Sequence, residues 1–408
     1  MISVLEAHDI ISSSTPRASR TETVPLSELS GRVIARDIFA SFPMPRFTNA
    51  AMDGFAVRFD DISGTSANGS VRLRVSQEIA AGKLSSERLE PGTCARIMTG
   101  APVPEGADTV VPFEETSGFG SPDVEFHKVP KRGANIRLAG EEVAPGELLV
   151  TRGTRATPAE IAILATFGIH APLVFSRPRA AILTVGDELR IPGEPAGPLT
   201  IYNSNLPMLE ACARASGAEV TGAWQLPDDP SRIREVVEHS LQSCDLLVTA
   251  GGISTGKFDF MHETLSALGV VEKFWKVAQK PGKPLYFGTA PSGALVFSLP
   301  GNPVSALACF IEYGMPALAR MQGNEPAPKI RAYLEEPFPA DPKRHRFLFG
   351  TMRVESGRLT CRVSLKTESH MLTAAGGANC IVESAPSSAP LPAGSLVTCN
   401  LLPWAGRC

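Results

Sequence analysis

The chain contains no apolar run approaching the roughly 18 residues that a membrane-crossing helix requires, which excludes a helical membrane anchor. None of the eight cysteines stands in a C-x-x-C pair and none of the seven histidines sits beside one, so a zinc finger or ribbon has no ligand set here. The thiols are expected to be reduced and mostly buried, with Cys408 an exposed tail thiol. No Lys/Arg run tracks a phosphate backbone: 39 basic residues are interspersed with 42 acidic ones for a formal net charge of −3. Neither nucleic acid nor a membrane is an expected partner. The opening MISVLEAHDIISSSTPRASR lacks the basic-then-apolar order of a secretory signal, which makes the cytoplasm the expected compartment.

What is present is enough for several folded units. A chain of 408 residues with 43% hydrophobic and 20% charged residues has a globular balance. Its length is too great for one ordinary core and predicts about two to four domains. The 36 glycines and 35 prolines are spread throughout, which predicts many short elements. The expected fold is multidomain, α/β plus β. Residues 1–42, opening with a helix whose apolar positions are Val4, Leu5, Ile10 and Ile11, are too small to fold alone and combine with 142–176 in a small mixed domain. In the second piece Thr157 and Pro158 start a helix and Gly168 stops it. Residues 43–141 carry short alternating runs such as VRLRVSQEI (71–79) and TCARIMTG (93–100), the signature of a β-rich insertion. The tail 327–408, with HRFLFGTMRV, RLTCRVSL and SLVTCNL, returns to β spacing and predicts a small barrel.

Residues 177–326 read most clearly. Strand-like AAILTVG (180–186), helical NLPMLEACARASG, strand-like AEVTGAWQL, a helix from Pro230, strand-like CDLLVTAGG and a helix near Phe260–Leu268 follow one another. That alternation predicts a parallel sheet wrapped by helices, which binds ligands beyond the C-terminal ends of its strands. Three loops fall there. AGGISTGKFD brings Gly251, Gly252, Ser254 and Asp259; TVGDE brings Asp187 and Glu188; SLPGNPVS brings Pro300, Pro303 and Ser305, with Asn302 as a cap and Pro303 in the first helical turn. The AGGISTGKFD loop fits neither GxxxxGK[ST] nor GxGxxG, which disfavours a P-loop nucleotidase and an ordinary dinucleotide fold. Its glycines make either a tight turn capped by Asp259 or a close backbone approach to an anion beside a cation.

Between the loops lies FWKVAQKPGKP. Lys276, Lys280 and Lys283 occur in an extended Pro/Gly setting, either as solvated surface charges or as point charges for an oxyanion. In the insertion, Asp53 of AAMDGFAV, Thr99 of RIMTGAPVP and Glu141/Glu142 of LAGEEV are ordinary loop polars or, together, oxygen ligands for a hard cation such as Mg²⁺.

The ordered set AAMDGFAV, ARIMTGAPVPEGAD, GDEL, YNSN, AGGISTGKFD, KPGKP and SLPGNPVS resembles the molybdopterin molybdenumtransferases, the MoeA family that includes the gephyrin E domain and the plant Cnx1 E domain. The match runs from about residue 4 to 405. The resemblance implies an elongated homodimer of four-domain subunits with a molybdopterin-binding α/β domain. It also implies an enzyme that inserts molybdate into adenylylated molybdopterin, hydrolysing the AMP anhydride with a divalent cation to give molybdenum cofactor and AMP. Each active site is implied to be shared, with Asp53, Thr99 and Glu142 from one subunit and Glu188, Asp228, Asp259, Lys276, Lys280, Pro300 and Pro303 from its partner.

By that resemblance Asp53, Glu142 and Asp259 hold Mg²⁺; Asp53, Thr99, Glu188 and Asp259 are catalytic; and Lys280, Lys283, Ser305, Arg346 and Ser369 take molybdate. Glu142 departs from the Asp common in the family, keeping the charge on a longer arm. A separate molybdopterin adenylyltransferase is expected upstream, and molybdoenzymes or their chaperones downstream. Two rival readings are a tungstate-inserting paralogue and a non-catalytic gephyrin-like scaffold. Asp53, Glu188, Asp259 and the three lysines argue against the scaffold.

Overall fold

A computed structural model describes residues 1–64, 70–85, 87–252 and 260–404. The chain opens with helix α1 (Val4–Ser14). Ser3 and Glu6 form a reciprocal capping box at its start: the Ser3 hydroxyl accepts from the Glu6 N–H, and the Glu6 carboxylate accepts from the Ser3 N–H. The buried stripe is Val4, Ala7 and Ile11, whereas Leu5 is 77% exposed, because residues three and four apart share a helix face and Leu5 falls off it.

Contacts divide the chain into two compact units. One comprises 36–152 and 159–170, the other 1–35, 153–158 and 171–408. The first is built on five strands, β1 (Gly54–Val57), β2 (Val71–Ile79), β3 (Thr93–Ile97), β4 (Thr109–Pro112) and β5 (Asp123–Phe126), in the order β4-β1-β3-β2-β5. The β2–β3 pair is parallel and the others are antiparallel. Apolar residues on both faces of β1 and β3 are buried, so the sheet has a core on each side. Helix α2 (Pro158–Thr166) follows, and its Gly168 stop adopts φ +71.

In the second unit, strands β6 (Arg179–Val185), β7 (Glu219–Leu226), β8 (Leu246–Ala250), β9 (Val271–Trp275), β10 (Gln279–Lys280), β11 (Tyr286–Thr289) and β12 (Leu295–Leu299) alternate with helices α3 (Asn205–Ala215), α4 (Pro230–Ser243) and α5 (Phe260–Ala267). Six of these strands form one sheet in the order β7-β6-β8-β12-β11-β9. Four neighbours, β7, β6, β8 and β12, are parallel as their alternation with helices predicts. The β12–β11–β9 edge is antiparallel, because β11 returns to β12 through the tight turn at Pro291–Gly293 rather than through a helix.

After β12 comes a continuous helical run: α6 (Pro303–Cys309), a wider π turn over Phe310–Gly314, and α7 (Met315–Met321). The tail forms β13 (Ile330–Leu334), β14 (His345–Glu355), β15 (Arg358–Val363), β16 (Cys380–Ser384) and β17 (Leu396–Leu401). Their pairing closes a five-strand barrel, β14-β15-β13-β17-β16 and back to β14. Strand β10 adds to β14 from outside, in parallel, with Lys280 opposite Arg346.

The barrel has its own interior, including Cys361, Cys380 and Cys399. Phe347, Phe349 and Ile381 pack outward into a second cluster shared with α1, one face of the sheet and α6–α7. All seven described cysteines are buried and free, as expected; Cys408 lies outside the described residues. A chain of charges crosses that junction. His8 Nε2 lies 2.7 Å from the buried Glu312 carboxylate, Lys329 donates to Glu312 at 2.6 Å and to Glu383 at 3.0 Å, and His345 Nε2 lies 3.3 Å from Glu383. No described helix is long and apolar enough to cross a membrane.

Candidate active site

The parallel strands bring their C-terminal ends to one rim. Val185 is level with Leu226, and Thr184, Ala250 and Leu299 are level with one another across three strands. Two asparagines of the YNSN stretch fasten this rim. Buried Asn203 donates to Thr184 Oγ1 at 2.8 Å and to Gln225 Oε1 at 2.9 Å, and its own oxygen accepts from the Leu206 N–H at 3.1 Å. Asn205 donates to the Gly301 carbonyl at 2.7 Å, fixing the SLPGNPVS loop. The YNSN stretch entered the sequence analysis only through the family resemblance, which gave neither asparagine a role.

Asp228 and Asp187 are tied reciprocally: the Asp228 N–H donates to Asp187 Oδ1 at 3.1 Å and the Asp187 N–H to Asp228 Oδ2 at 3.4 Å. Glu188 beside them is exposed. Gly251, at φ +86, lies so close to β6 that a Cβ would stand 2.3 Å from the Val185 carbonyl oxygen, so only glycine fits; Gly252 follows at φ +69. Ser254 and Asp259 lie outside the described residues. Pro300 is buried and Pro303 opens α6 as expected, but the Asn302 side chain does not cap it. It donates instead to Ser369 Oγ at 3.1 Å, while its carbonyl takes the Ala306 N–H.

The lysines fall into two places. Lys276, at φ +74, lays its ammonium over the Trp275 ring, 3.9 Å from the centroid. Lys280 and Lys283 instead line a basin of about 560 Å³ with Asp341, Lys343, Arg344 and Arg346. Arg346 is 7% exposed, and its Nε has no hydrogen-bond partner among the described residues. Burial pushes its guanidinium below the ordinary value. A buried donor without an acceptor is costly in a finished interior and is the expected state of a site awaiting an anion.

Ser305 is buried in the first turn of α6, under the loop that carries the lysines. Gln279 supports the same loop from inside, donating to the Gly282 carbonyl at 3.1 Å and to Cys309 Sγ at 3.2 Å, and accepting from the Tyr313 hydroxyl at 2.5 Å. Lys280 Nζ donates to Glu368 Oε1 at 3.1 Å. Sequence reasoning reached neither Gln279 nor Glu368. A buried amide between lysines and a lone acid in a turn carry no spacing signal.

The first unit carries the other residues. Asp53 is exposed at the head of β1, and its Oδ1 accepts both from the Thr99 N–H at 2.7 Å and from the Thr99 hydroxyl at 2.9 Å. The backbone bond and then the hydroxyl bond of Thr99 hold the Asp53 carboxyl below its usual range. Gly54 is required next to it, since a Cβ would stand 2.0 Å from the Val111 carbonyl oxygen. Glu142 is exposed, its N–H bonded to the Met44 carbonyl at 3.0 Å. Among the described residues no group of three or more His, Cys, Asp or Glu side chains is arranged to hold a metal ion.

Fold and site thus define a multidomain α/β protein with a basic basin beside a closed barrel. Comparison with known proteins gives the family. Residues 2–168 match the MoeA N-terminal region (domains I and II), 181–320 a probable molybdopterin binding domain, and 331–402 the MoeA C-terminal region (domain IV). The chain is 37% identical over 326 residues to molybdopterin molybdenumtransferase 2 of Mycobacterium tuberculosis, covering 78% of this chain and 80% of that one. It is 34% identical over 371 residues to the molybdopterin molybdenumtransferase of Bacillus subtilis, covering 90% and 86%. Its fold superposes on the crystal structure of the molybdopterin biosynthesis MoeA protein from Pyrococcus horikoshii with a TM-score of 0.85 at 29% identity, over 98% of this chain and 99% of that one. The chain belongs to the MoeA family of molybdopterin molybdenumtransferases.

Proposed function

We propose that this protein is an enzyme that transfers molybdenum from molybdate into adenylylated molybdopterin, cleaving the pterin phosphate–AMP anhydride and releasing molybdenum cofactor and AMP. The observation that carries the reading is the basin lined by Lys280, Lys283 and Arg346, whose buried Nε has no hydrogen-bond partner among the described residues. Lysines neutralise an oxyanion as point charges, and a guanidinium adds oriented donors. Ser305 and Ser369 are assigned to the same substrate. The rim formed by Gly251, Gly252, Asp228, Glu188, Pro300 and Pro303, with Lys276 at its edge, receives the pterin and its phosphates.

The carboxylate donor set suits Mg²⁺: Asp53 has one oxygen pinned by Thr99 and the other free of described partners, and Glu142 is an exposed carboxylate. Asp53 and Glu142, with Asp259, would hold the ion, which supplies charge neutralisation at the anhydride oxygens. Thr99 keeps Asp53 ionised and aimed. The protein acts as a homodimer in which each site takes Asp53, Thr99 and Glu142 from one subunit and the α/β residues from the other. Adenylylated pterin comes from a separate adenylyltransferase, and the product passes to molybdoenzymes or their chaperones.

The test is AMP release from adenylylated molybdopterin, with and without molybdate and Mg²⁺, for wild type, Asp53→Asn and Asp259→Ala. Release that needs both additions and is lost in the variants supports the reading. Release indifferent to molybdate, or equal in all three proteins, overturns it and leaves the scaffold. Replacing molybdate by tungstate in the same assay addresses the paralogue.

A further inference from the structure

We infer that Glu368 is a built-in counter-anion of the basic cluster: its carboxylate holds Lys280 while the basin is empty and is displaced when a tetraoxo dianion enters. This rests on the proposed reading of the basin as the oxyanion site. Lys280 and Arg346 are register partners on the adjacent parallel strands β10 and β14. Like charges side by side on neighbouring strands repel, and Lys283 adds a third in the same basin.

Glu368 answers Lys280. Glu368 Oε1 accepts from Lys280 Nζ at 3.1 Å. That hydrogen bond first, then the Lys280 charge and more weakly Arg346 and His370, hold the carboxyl below its ordinary range. Asp341, the acid that lines the basin, is already committed: it accepts from the backbone N–H groups of Lys343 and Arg344 at 3.1 and 3.0 Å and from Arg344 Nε at 2.9 Å.

Glu368, by contrast, is 49% exposed, and among the described residues Lys280 is its one hydrogen-bonding side chain. It sits in the turn next to Ser369, whose hydroxyl is anchored by Asn302, so its side chain can swing while the turn stays. A carboxylate and a fully ionised tetraoxo dianion are both acceptors only, so they cannot hydrogen-bond to each other. At contact distance they repel. The dianion therefore competes with Glu368 for Lys280, and the cost of loosening the Lys280–Glu368 pair is subtracted from its affinity.

Calorimetric titration of the full chain with sodium molybdate, at fixed ionic strength, tests this. Glu368→Gln keeps the shape and removes the charge. It is expected to bind molybdate about tenfold more tightly than wild type, while the ligand-free protein melts no higher. Lys280→Met is expected to weaken binding, and in the Glu368→Gln/Lys280→Met double variant the gain from removing Glu368 should vanish. If Lys280→Met weakens binding but Glu368→Gln is equal to or weaker than wild type, the counter-anion is refuted and the oxyanion site stands. A tightening that persists without Lys280 also refutes displacement, since the carboxylate then acts only through space. If molybdate binds none of these proteins, or binds Lys280→Met as well as wild type, the oxyanion reading itself falls, and the inference with it.

Discussion

Thr99 donates twice to one oxygen of Asp53, through its backbone N–H at 2.7 Å and its hydroxyl at 2.9 Å. The backbone bond survives any substitution except proline; the hydroxyl bond does not. Thr99→Val is expected to lower the rate of AMP release about tenfold, the range for one hydrogen bond to a charged group. Both bonds hold the Asp53 carboxyl down, so losing one raises it, and the acid limb of the rate profile should move to higher pH. A pH series for wild type and Thr99→Val checks both effects; an unmoved acid limb would detach Thr99 from Asp53.

Arg346 gives a prediction in which stability and function part. Arg346 is 7% exposed, with an Nε unpaired among the described residues, so Arg346→Met removes a largely buried charge and fills the space with apolar atoms. Thermal melting should be unchanged or higher, while the molybdate concentration for half-maximal rate rises at least about tenfold. Arg346→Lys should rescue little of that loss, because an ammonium lacks the planar fork. Melting curves beside molybdate saturation curves separate the two effects.

The charged chain at the barrel junction predicts acid lability. Burial pushes the Glu383 carboxyl up, but the His345 hydrogen bond and the Lys329 charge and hydrogen bond outweigh it, leaving the group below its ordinary 4.5. A depressed folded value means the stabilisation is complete above about pH 4.5 and is lost as pH falls through the folded value. Glu383→Gln should cost about 1–3 kcal/mol at pH 7, and the gap from wild type should narrow on acidification. Urea unfolding at several pH values measures that gap; a gap constant with pH would exclude the linkage.

Much of this was legible in the sequence because period and punctuation carried it. Alternation of short apolar runs with helical segments gave three of the four parallel strands, and VRLRVSQEI was read as the strand it forms. The Gly251 and Pro303 loops were found because close backbone approach and helix starts restrict residue type. What escaped depended on partners distant in sequence. Leu5 was expected inside and lies outside, since a single helical turn does not fix which neighbour covers it. Asn302 was expected to cap α6, but Ser369, 67 residues on, takes its side chain. The antiparallel edge, Gln279 and Glu368 likewise have meaning only once the barrel stands beside the α/β sheet.

Strand β10 belongs to the α/β region by sequence and to the barrel by hydrogen bonding, and Lys280 sits on it. An excised fragment ending near residue 326 would keep every glycine and proline of the rim. It would also keep Lys280 and Lys283, yet lose the strand against which Lys280 is laid, along with Arg346, Glu368 and Ser369. The shortest piece that keeps the whole proposed oxyanion site therefore includes both regions, so on that reading truncation does not isolate a working half.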